Sequence, residues 1–178
     1  MIEIKNIYKK FGKLEVLNNI NLSFKKGECI ALIGPNGCGK TTLIKSILGM
    51  VIPTKGDILF DQKSILKEFE YRENIGYMPQ IGRYPDYMTV GQIIEMIKKI
   101  RNSEQVLDED LIKSFELEKI VDKQMRTLSG GTTQKVSATL AFLFNPEVLI
   151  LDEPTAGLDP LASEILKDKI IKEKEKGK

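Results

Sequence analysis

The segment Cys29-Ile-Ala-Leu-Ile-Gly-Pro-Asn-Gly-Cys-Gly-Lys-Thr-Thr42 decides the fold of this chain. Its first five residues form a continuous apolar run, which is typical of a central parallel strand. Beyond the glycines, apolar residues such as Leu43 and Ile47 recur at helical spacing. A strand, a glycine-rich loop and a helix in this order are the context that a phosphate-binding loop requires. The segment therefore predicts an α/β fold built around this loop.

The glycine spacing predicts how the loop would hold phosphate. Glycines let consecutive backbone N–H groups converge on phosphate oxygens at the positive end of a helix. Lys40 is expected to reach the β- and γ-phosphates of a nucleotide, and the Thr41 hydroxyl is expected to ligate Mg²⁺. The predicted phosphate-binding residues are Gly34, Pro35, Asn36, Gly37, Cys38, Gly39, Lys40, Thr41 and Thr42.

A second predicted strand, Val148-Leu-Ile-Leu151, is followed by Asp152 and Glu153. The end of such a strand lies at the carboxyl edge of the sheet, where open α/β folds bind their ligands. Asp152 is predicted to hold Mg²⁺, and Glu153 is predicted to be the catalytic base that polarises an attacking water. Taken alone, an Asp-Glu pair after a strand is often only a turn.

The remaining pattern predicts one domain with two parts. Alternating apolar residues near both Ile2 and Ile20 predict half-buried antiparallel strands. Residues 56–60 and 75–78 read as further strands, and Thr89 is a plausible N-cap for an amphipathic helix. We predict an α/β core at 1–80 and 146–178, with a mostly helical subdomain at about 81–145.

Composition excludes several classes of protein. The chain has 178 residues, 42% of them hydrophobic, and a net charge of only +2, which gives no electrostatic reason to expect nucleic acid or lipid. No apolar run approaches the roughly 20 residues of a bilayer span, so a membrane role would need another chain. Cys29 and Cys38 suit neither a disulfide framework nor a zinc site, and Cys29 is expected to be buried.

The segment Leu128-Ser-Gly-Gly-Thr-Thr-Gln-Lys135 narrows the function further. Together with the phosphate loop and the Asp152-Glu153 pair, it resembles the nucleotide-binding subunits of ATP-binding-cassette (ABC) transporters, and the resemblance covers the whole chain. It implies a P-loop NTPase fold of the ABC type, with a parallel core sheet, a small antiparallel N-terminal sheet and a helical subdomain.

The resemblance also implies roles that spacing alone cannot supply. Phe11 matches the aromatic residue that stacks on adenine, and Gln80 matches the catalytic Gln that touches Mg²⁺ and the attacking water. The signature residues Ser129, Gly130 and Gly131 match the motif that closes over the γ-phosphate held by the opposite protomer. Asp159 matches a loop that couples the two sites of the dimer.

The family resemblance implies ATP and Mg²⁺ as ligands and a homodimer or heterodimer held through ATP. It implies a transmembrane permease subunit as partner, no nucleic acid, and a location on the cytoplasmic face of the inner membrane. Ser129 would begin the helix from about Gly131 to Phe144, which is a second anion site. Because a protomer's own phosphate loop already covers one side of ATP, that helix end must come from another protomer.

Two other function classes compete with transport. A non-transport ABC-type ATPase of the translation-factor or DNA-repair kind usually has tandem cassettes, coiled coils or zinc-binding insertions, and the sequence shows none of them. A plain P-loop kinase or GTPase is contradicted by the signature residues. Residues 76–85 are also similar to ATPases of export and maturation systems, including nitrous-oxide reductase copper-site assembly. The substrate stays open.

One departure from the family pattern concerns catalysis. The family carries a switch histidine on a strand after the helix that follows the Asp159 loop, and this sequence contains no histidine. The sequence therefore looks like a cassette that lacks its last core strand. We expect such a chain to bind ATP and to hydrolyse it only weakly.

Overall fold

The structure is a computed structural model that describes residues 1–66, 68–101 and 106–178. The chain divides into two compact units. Unit 1 comprises Met1–Arg72 and Lys174–Lys178, and unit 2 comprises Glu73–Glu173. The division into a core and a helical subdomain that the sequence suggested stays a prediction.

Unit 1 is built on an antiparallel sheet of four strands. The strands are β1 (Ile2–Phe11), β2 (Leu14–Phe24), β3 (Lys55–Phe60) and β4 (Lys63–Ser64), in the spatial order β2-β1-β3-β4. Ile2, Ile4 and Ile7 of β1 are buried, and the register shift between Ile4 and Ile7 explains why their spacing departs from strict alternation. The antiparallel N-terminal sheet predicted from the sequence is confirmed.

The apolar run 29–33 does not form the predicted central strand. No described strand pairs with this run, and Ile30 and Ile33 are 52% and 89% exposed. Cys29 is exposed as well, so its predicted burial is wrong. A strand that is apolar on both faces is stable only when neighbouring strands satisfy its backbone and other elements cover its sides. The described residues supply this run with no partner strand.

Unit 2 contains the two strands that the sequence predicted at 75–78 and 148–151, and they form a parallel pair. β5 (Ile75–Met78) and β6 (Val148–Leu151) run side by side in a register that sets Ile75 against Val148 and Met78 against Leu151. Because the two strands end level with each other, the residues that follow them emerge at the same carboxyl edge.

Four α-helices among the described residues contribute to unit 2 and to its apolar core. They are α2 (Val90–Arg101), α3 (Asp110–Ser114), α4 (Gly130–Phe142) and α5 (Pro160–Glu175), with short 3₁₀ turns at Leu117–Ile120 and Met125–Thr127. Thr89 caps α2 as predicted: its hydroxyl accepts from the Gln92 N–H, and the Gln92 side chain accepts from the Thr89 N–H. No helix in the described part of the chain is long and apolar enough to span a bilayer.

A buried ion-pair cluster joins α5 to the start of α3. The Lys169 ammonium is 4% exposed and lies 2.6 Å from Asp108 and 2.9 Å from Asp110. Burial opposes the charge, but the hydrogen bonds to these two carboxylates hold the pKa of Lys169 above its usual value. The cluster fixes the helix that follows Asp159 against the rest of unit 2.

Candidate nucleotide site

The phosphate loop lies in unit 1 and leads directly into α1 (Lys40–Ile47), as the sequence predicted. Gly39 has φ 98°, and a Cβ atom there would lie 2.8 Å from the carbonyl oxygen of Val16 in β2. The left-handed backbone and this close approach both require glycine. The loop therefore packs against β2, and its backbone leads into the N-terminus of α1.

Lys40 is folded back over its own loop. Its Nζ donates hydrogen bonds of 2.7 Å to the carbonyl oxygen of Gly34 and 3.0 Å to that of Pro35. These contacts place the ammonium over the loop, where a phosphate bound by the loop amides would meet it. The geometry fits the predicted role of Lys40 as the cation for phosphate.

The other predicted residues of unit 1 are accessible to a ligand. Thr41 and Cys38 are exposed, and Thr42 is half-buried. Phe11 is 49% exposed at the end of β1, and the Lys9 ammonium lies 5.0 Å from the centre of its ring. An exposed aromatic ring can stack on a base, whereas a core residue cannot. Its adenine-stacking role stays a prediction.

Gln80 and Glu153 meet at the carboxyl edge of the parallel pair in unit 2. The Gln80 side-chain Nε2 donates a 2.9 Å hydrogen bond to Glu153 Oε2. The register of the strands explains this contact, because Met78 and Leu151 are opposite each other and both chains continue outward from there. The structure thus brings together the two residues predicted to be catalytic.

Glu153 adopts a left-handed backbone conformation, with φ 51°. This region is uncommon for residues other than glycine, asparagine and aspartate, and such strain persists where the surrounding structure imposes it. The turn directs the Glu153 side chain away from the line of β6 and toward Gln80. The sequence pattern did not predict it.

Asp152 continues the parallel ladder by one residue. Its N–H donates a 2.9 Å hydrogen bond to the carbonyl oxygen of Met78, and its side chain is half-buried. Burial, together with the negative charge of Asp152, raises the pKa of Tyr77 in β5. The Asp152 backbone is therefore fixed at the strand edge, directly before Glu153.

The donor chemistry of the predicted metal ligands fits Mg²⁺. Thr41, Gln80 and Asp152 offer a hydroxyl, an amide and a carboxylate oxygen, and Mg²⁺ selects oxygen ligands. The hydrogen bond to Glu153 uses Nε2 of Gln80 and leaves the amide oxygen Oε1 for a metal.

Ser129 is the N-cap of α4, so the signature residues stand at a helix N-terminus as predicted. The Ser129 Oγ accepts a 3.2 Å hydrogen bond from the Thr132 N–H. A Cβ atom on Gly131 would lie 2.7 Å from the carbonyl oxygen of Gly157, whereas one on Gly130 would meet nothing within 4 Å. The signature therefore packs against the segment before Asp159 and leaves Gly130 open on its other side.

Asp159 is held from two sides. Its Oδ1 accepts from the Ala162 N–H at 2.8 Å and so caps α5, and its Oδ2 lies 2.8 Å from the Lys135 ammonium. The hydrogen bond from Lys135 and then that from the Ala162 amide hold the pKa of Asp159 below its usual value. Lys135 lies on α4, so one helix presents the signature and holds Asp159.

Sequence reasoning missed Lys135 and its neighbour Gln134. Gln134 donates a hydrogen bond from Nε2 to the backbone carbonyl oxygen of Gln80. A charged and an amide residue within a helix read as a solvated face. The only signal in the sequence is their place at the end of the segment Leu128–Lys135, which contains the signature.

The unit 2 residues fall into two groups. Gln80, Asp152 and Glu153 form the first, and Ser129–Gly131 with Asp159 form the second, with α4 in contact with both. The phosphate loop and Phe11 belong to unit 1.

Comparison with known proteins identifies the family. The family model described as "ABC transporter" matches residues 17–156. A zinc import ATP-binding protein of Rickettsia conorii is 40% identical over 162 residues, which cover 89% of this chain and 64% of that protein. A phospholipid-transporting ATPase of Rattus norvegicus is 34% identical over 99% of this chain and 11% of its own length. The chain thus spans less than two thirds of these relatives.

Solved structures give the same result. An ATP-binding subunit of an ABC transporter superposes with a TM-score of 0.89 and 31% identity, and covers 99% of this chain and 75% of its own. A dimeric ATP-binding cassette solved in a post-hydrolysis state with ADP and Pi superposes with a TM-score of 0.87 and 27% identity, over 100% of this chain and 85% of its own. The chain belongs to the ABC transporter ATP-binding family and has the mixed α/β fold of its cassettes.

Proposed function

We propose that this chain binds and hydrolyses ATP to power transport through a separate membrane subunit. The observation that carries the proposal is the 2.9 Å hydrogen bond between Gln80 and Glu153 at the carboxyl edge of the parallel strands. It holds a carboxylate base and an amide side by side, next to an acid suited to Mg²⁺. The phosphate loop supplies the corresponding binding element for the nucleotide.

Each residue then has a definite task. The loop amides and Lys40 bind the β- and γ-phosphates, which requires Lys40 to exchange its contacts with Gly34 and Pro35 for phosphate oxygens. Thr41, Gln80 and Asp152 would hold Mg²⁺, which neutralises charge on the phosphates when bound. Glu153 accepts a proton from the attacking water, and the Gln80 amide fixes the orientation of that carboxylate.

The signature supports a dimer held through ATP. The 13-residue helix α4 begins at Gly130 behind the Ser129 cap, and its free amides form an anion site. A second copy of the chain, or a related cassette, would place this site over the γ-phosphate. The cassette solved in a post-hydrolysis state is itself a dimer bound to ADP and Pi, which supports a dimer for this chain.

We propose slow turnover for the 178-residue chain, because it has no histidine to contact the γ-phosphate. Loss of one transition-state contact of this kind costs on the order of 10²–10³-fold in rate. Titration with a fluorescent ATP analogue should show binding that depends on the loop, and single-turnover phosphate release should be detectable but slow. Failure to bind Mg-ATP would contradict the proposed function. Release as fast as that of a histidine-containing cassette would contradict the role given to the histidine.

The surface formed by the residues that follow Gln80 is suited to contact a membrane subunit. Such contact would place the chain on the cytoplasmic side of the inner membrane. Ile81 and Tyr87 are exposed, and the Arg126 guanidinium lies 4.7 Å from the centre of the Tyr87 ring. Exposed aromatic and arginine side chains are enriched at protein interfaces. The surface directly follows Gln80, so docking there would bear on the proposed catalytic pair.

Tyr87→Asp is expected to prevent association with the membrane subunit and to spare ATP binding. A buried charge at the centre of an interface costs several kcal/mol, about 10²-fold or more in affinity. Co-purification with the membrane subunit, followed by titration with nucleotide, measures both properties. Phe69→Asp is the control, because Phe69 is also exposed but lies in unit 1. Unchanged co-purification of Tyr87→Asp would exclude this surface.

A further inference from the structure

Helix α4 buries three polar side chains, Gln134, Ser137 and Thr139. Burial of a polar group is costly unless it forms hydrogen bonds. Ser137 and Thr139 meet this need within the helix, because their hydroxyls donate to the carbonyl oxygens of Thr133 and Lys135 one turn earlier. Gln134 does not follow this pattern, and its side chain reaches out of the helix.

The Gln134 amide holds the backbone of Gln80. Its Nε2 donates to the Gln80 carbonyl oxygen across 54 residues of sequence. A second contact holds the same loop, since the Tyr84 hydroxyl lies 2.9 Å from Ser137 Oγ. Burial raises the pKa of the Tyr84 hydroxyl. Two neighbouring turns of α4 therefore hold residues 80–84.

The orientation of the Gln134 amide shows that its N–H group, and not its carbonyl oxygen, makes the contact with the loop. Rotating the amide would set its oxygen against the carbonyl oxygen of Gln80, so Nε2 must face the loop. The other atom, Oε1, is buried and has no hydrogen-bond partner among the described residues. A buried acceptor without a partner is unfavourable, whereas methionine would fill the same space without that cost. The presence of glutamine at position 134 is therefore better explained by the hydrogen bond that Nε2 donates than by the space that the side chain fills.

We propose that Gln134 is a positioning residue that sets the Gln80 side chain against Glu153. The donor fixes the Gln80 backbone, and the Gln80 Nε2 then reaches Glu153 Oε2 at 2.9 Å. Because α4 begins at the Ser129 cap, the helix that presents the signature also sets the geometry of the catalytic pair. This inference rests on the proposed ATP hydrolysis.

Gln134→Met tests the donor directly, because it keeps the shape of the side chain and removes the N–H groups. We expect single-turnover phosphate release to slow by roughly 10- to 100-fold, the scale of a small misplacement of catalytic groups. Affinity for a fluorescent ATP analogue and the midpoint of thermal unfolding should be unchanged. Gln134→Glu, which keeps only acceptors, should slow release in the same way.

Thr139→Val is the matched control, since Thr139 is a buried polar residue of the same helix. Among the described residues, its hydroxyl bonds only within α4. This variant should release phosphate at the wild-type rate. Tyr84→Phe removes the second tether without altering α4 and should slow release in the same direction as Gln134→Met. Gln134→Glu carries the test if Gln134→Met fails to fold.

The outcomes separate this inference from the function on which it rests. If the wild-type chain releases phosphate and Gln134→Met releases it at the same rate, the positioning role alone is overturned. Gln134→Glu decides in the same way if Gln134→Met does not fold. A slower rate accompanied by a matching loss of nucleotide affinity would also overturn it, because the effect would then lie in binding. Absence of phosphate release from the wild-type chain would overturn the proposed function, and the positioning role with it.

Discussion

Glu153→Gln is expected to slow ATP hydrolysis by about 10²–10⁴-fold, the usual effect of removing a general base, while ATP stays bound. The glutamine keeps an oxygen that can accept from Gln80 Nε2, so the contact at the strand edge survives. Asp152 is unchanged and remains available to Mg²⁺. The variant should therefore accumulate as an ATP-bound dimer, which size-exclusion chromatography in Mg-ATP would detect.

Glu164→Gln is the matched control for this experiment. Glu164 is an exposed carboxylate on α5 that pairs only with Lys167 among the described residues, at 2.7 Å. It should hydrolyse ATP at the wild-type rate and should not accumulate as a dimer. A Glu153→Gln chain that stays monomeric in saturating ATP and releases phosphate at the wild-type rate would exclude Glu153 as the base.

Lys40→Ala is expected to abolish ATP binding at micromolar nucleotide. The Lys40 ammonium is held over the loop by Gly34 and Pro35, where it would meet the β- and γ-phosphates. Without it, the loop amides alone face two charged phosphates. Titration with a fluorescent ATP analogue measures the loss.

Lys45→Ala controls for the loss of a positive charge from α1. Lys45 lies in the last turn of the same helix, is exposed, and is distant from the loop along the helix. It should bind the analogue with wild-type affinity. Equal affinity of the Lys40→Ala and wild-type chains would show that the loop is not the nucleotide site.

Local patterns predicted most of the elements around the site. The glycine spacing predicted the loop and the start of α1. The apolar run 148–151 predicted β6, which ends directly before Asp152. Residues 29–33 show the limit of such patterns, because an apolar run predicts a strand only if partners exist to pair with it. Ile30 and Ile33 lack such partners in the described residues and are exposed.

Contacts between distant segments could not be read from the sequence. Lys135 pairs with Asp159, and Gln134 with the Gln80 backbone, across 24 and 54 residues respectively. Nothing in the local pattern separates these two side chains from the solvated residues of an ordinary helix. The left-handed turn at Glu153 has the same origin, since the surrounding structure rather than the residue type imposes it.

A mixture of two inactive variants tests most directly whether the signature of one copy serves the phosphate loop of another. A Lys40→Ala chain keeps an intact signature, and a Ser129→Arg chain keeps an intact loop. In a head-to-tail dimer of the two variants, one nucleotide site combines the intact loop of the Ser129→Arg chain with the intact signature of the Lys40→Ala chain. Single-turnover phosphate release from the mixture should exceed that of either variant alone several-fold. A rate no greater than the average of the two separate rates would contradict the composite site.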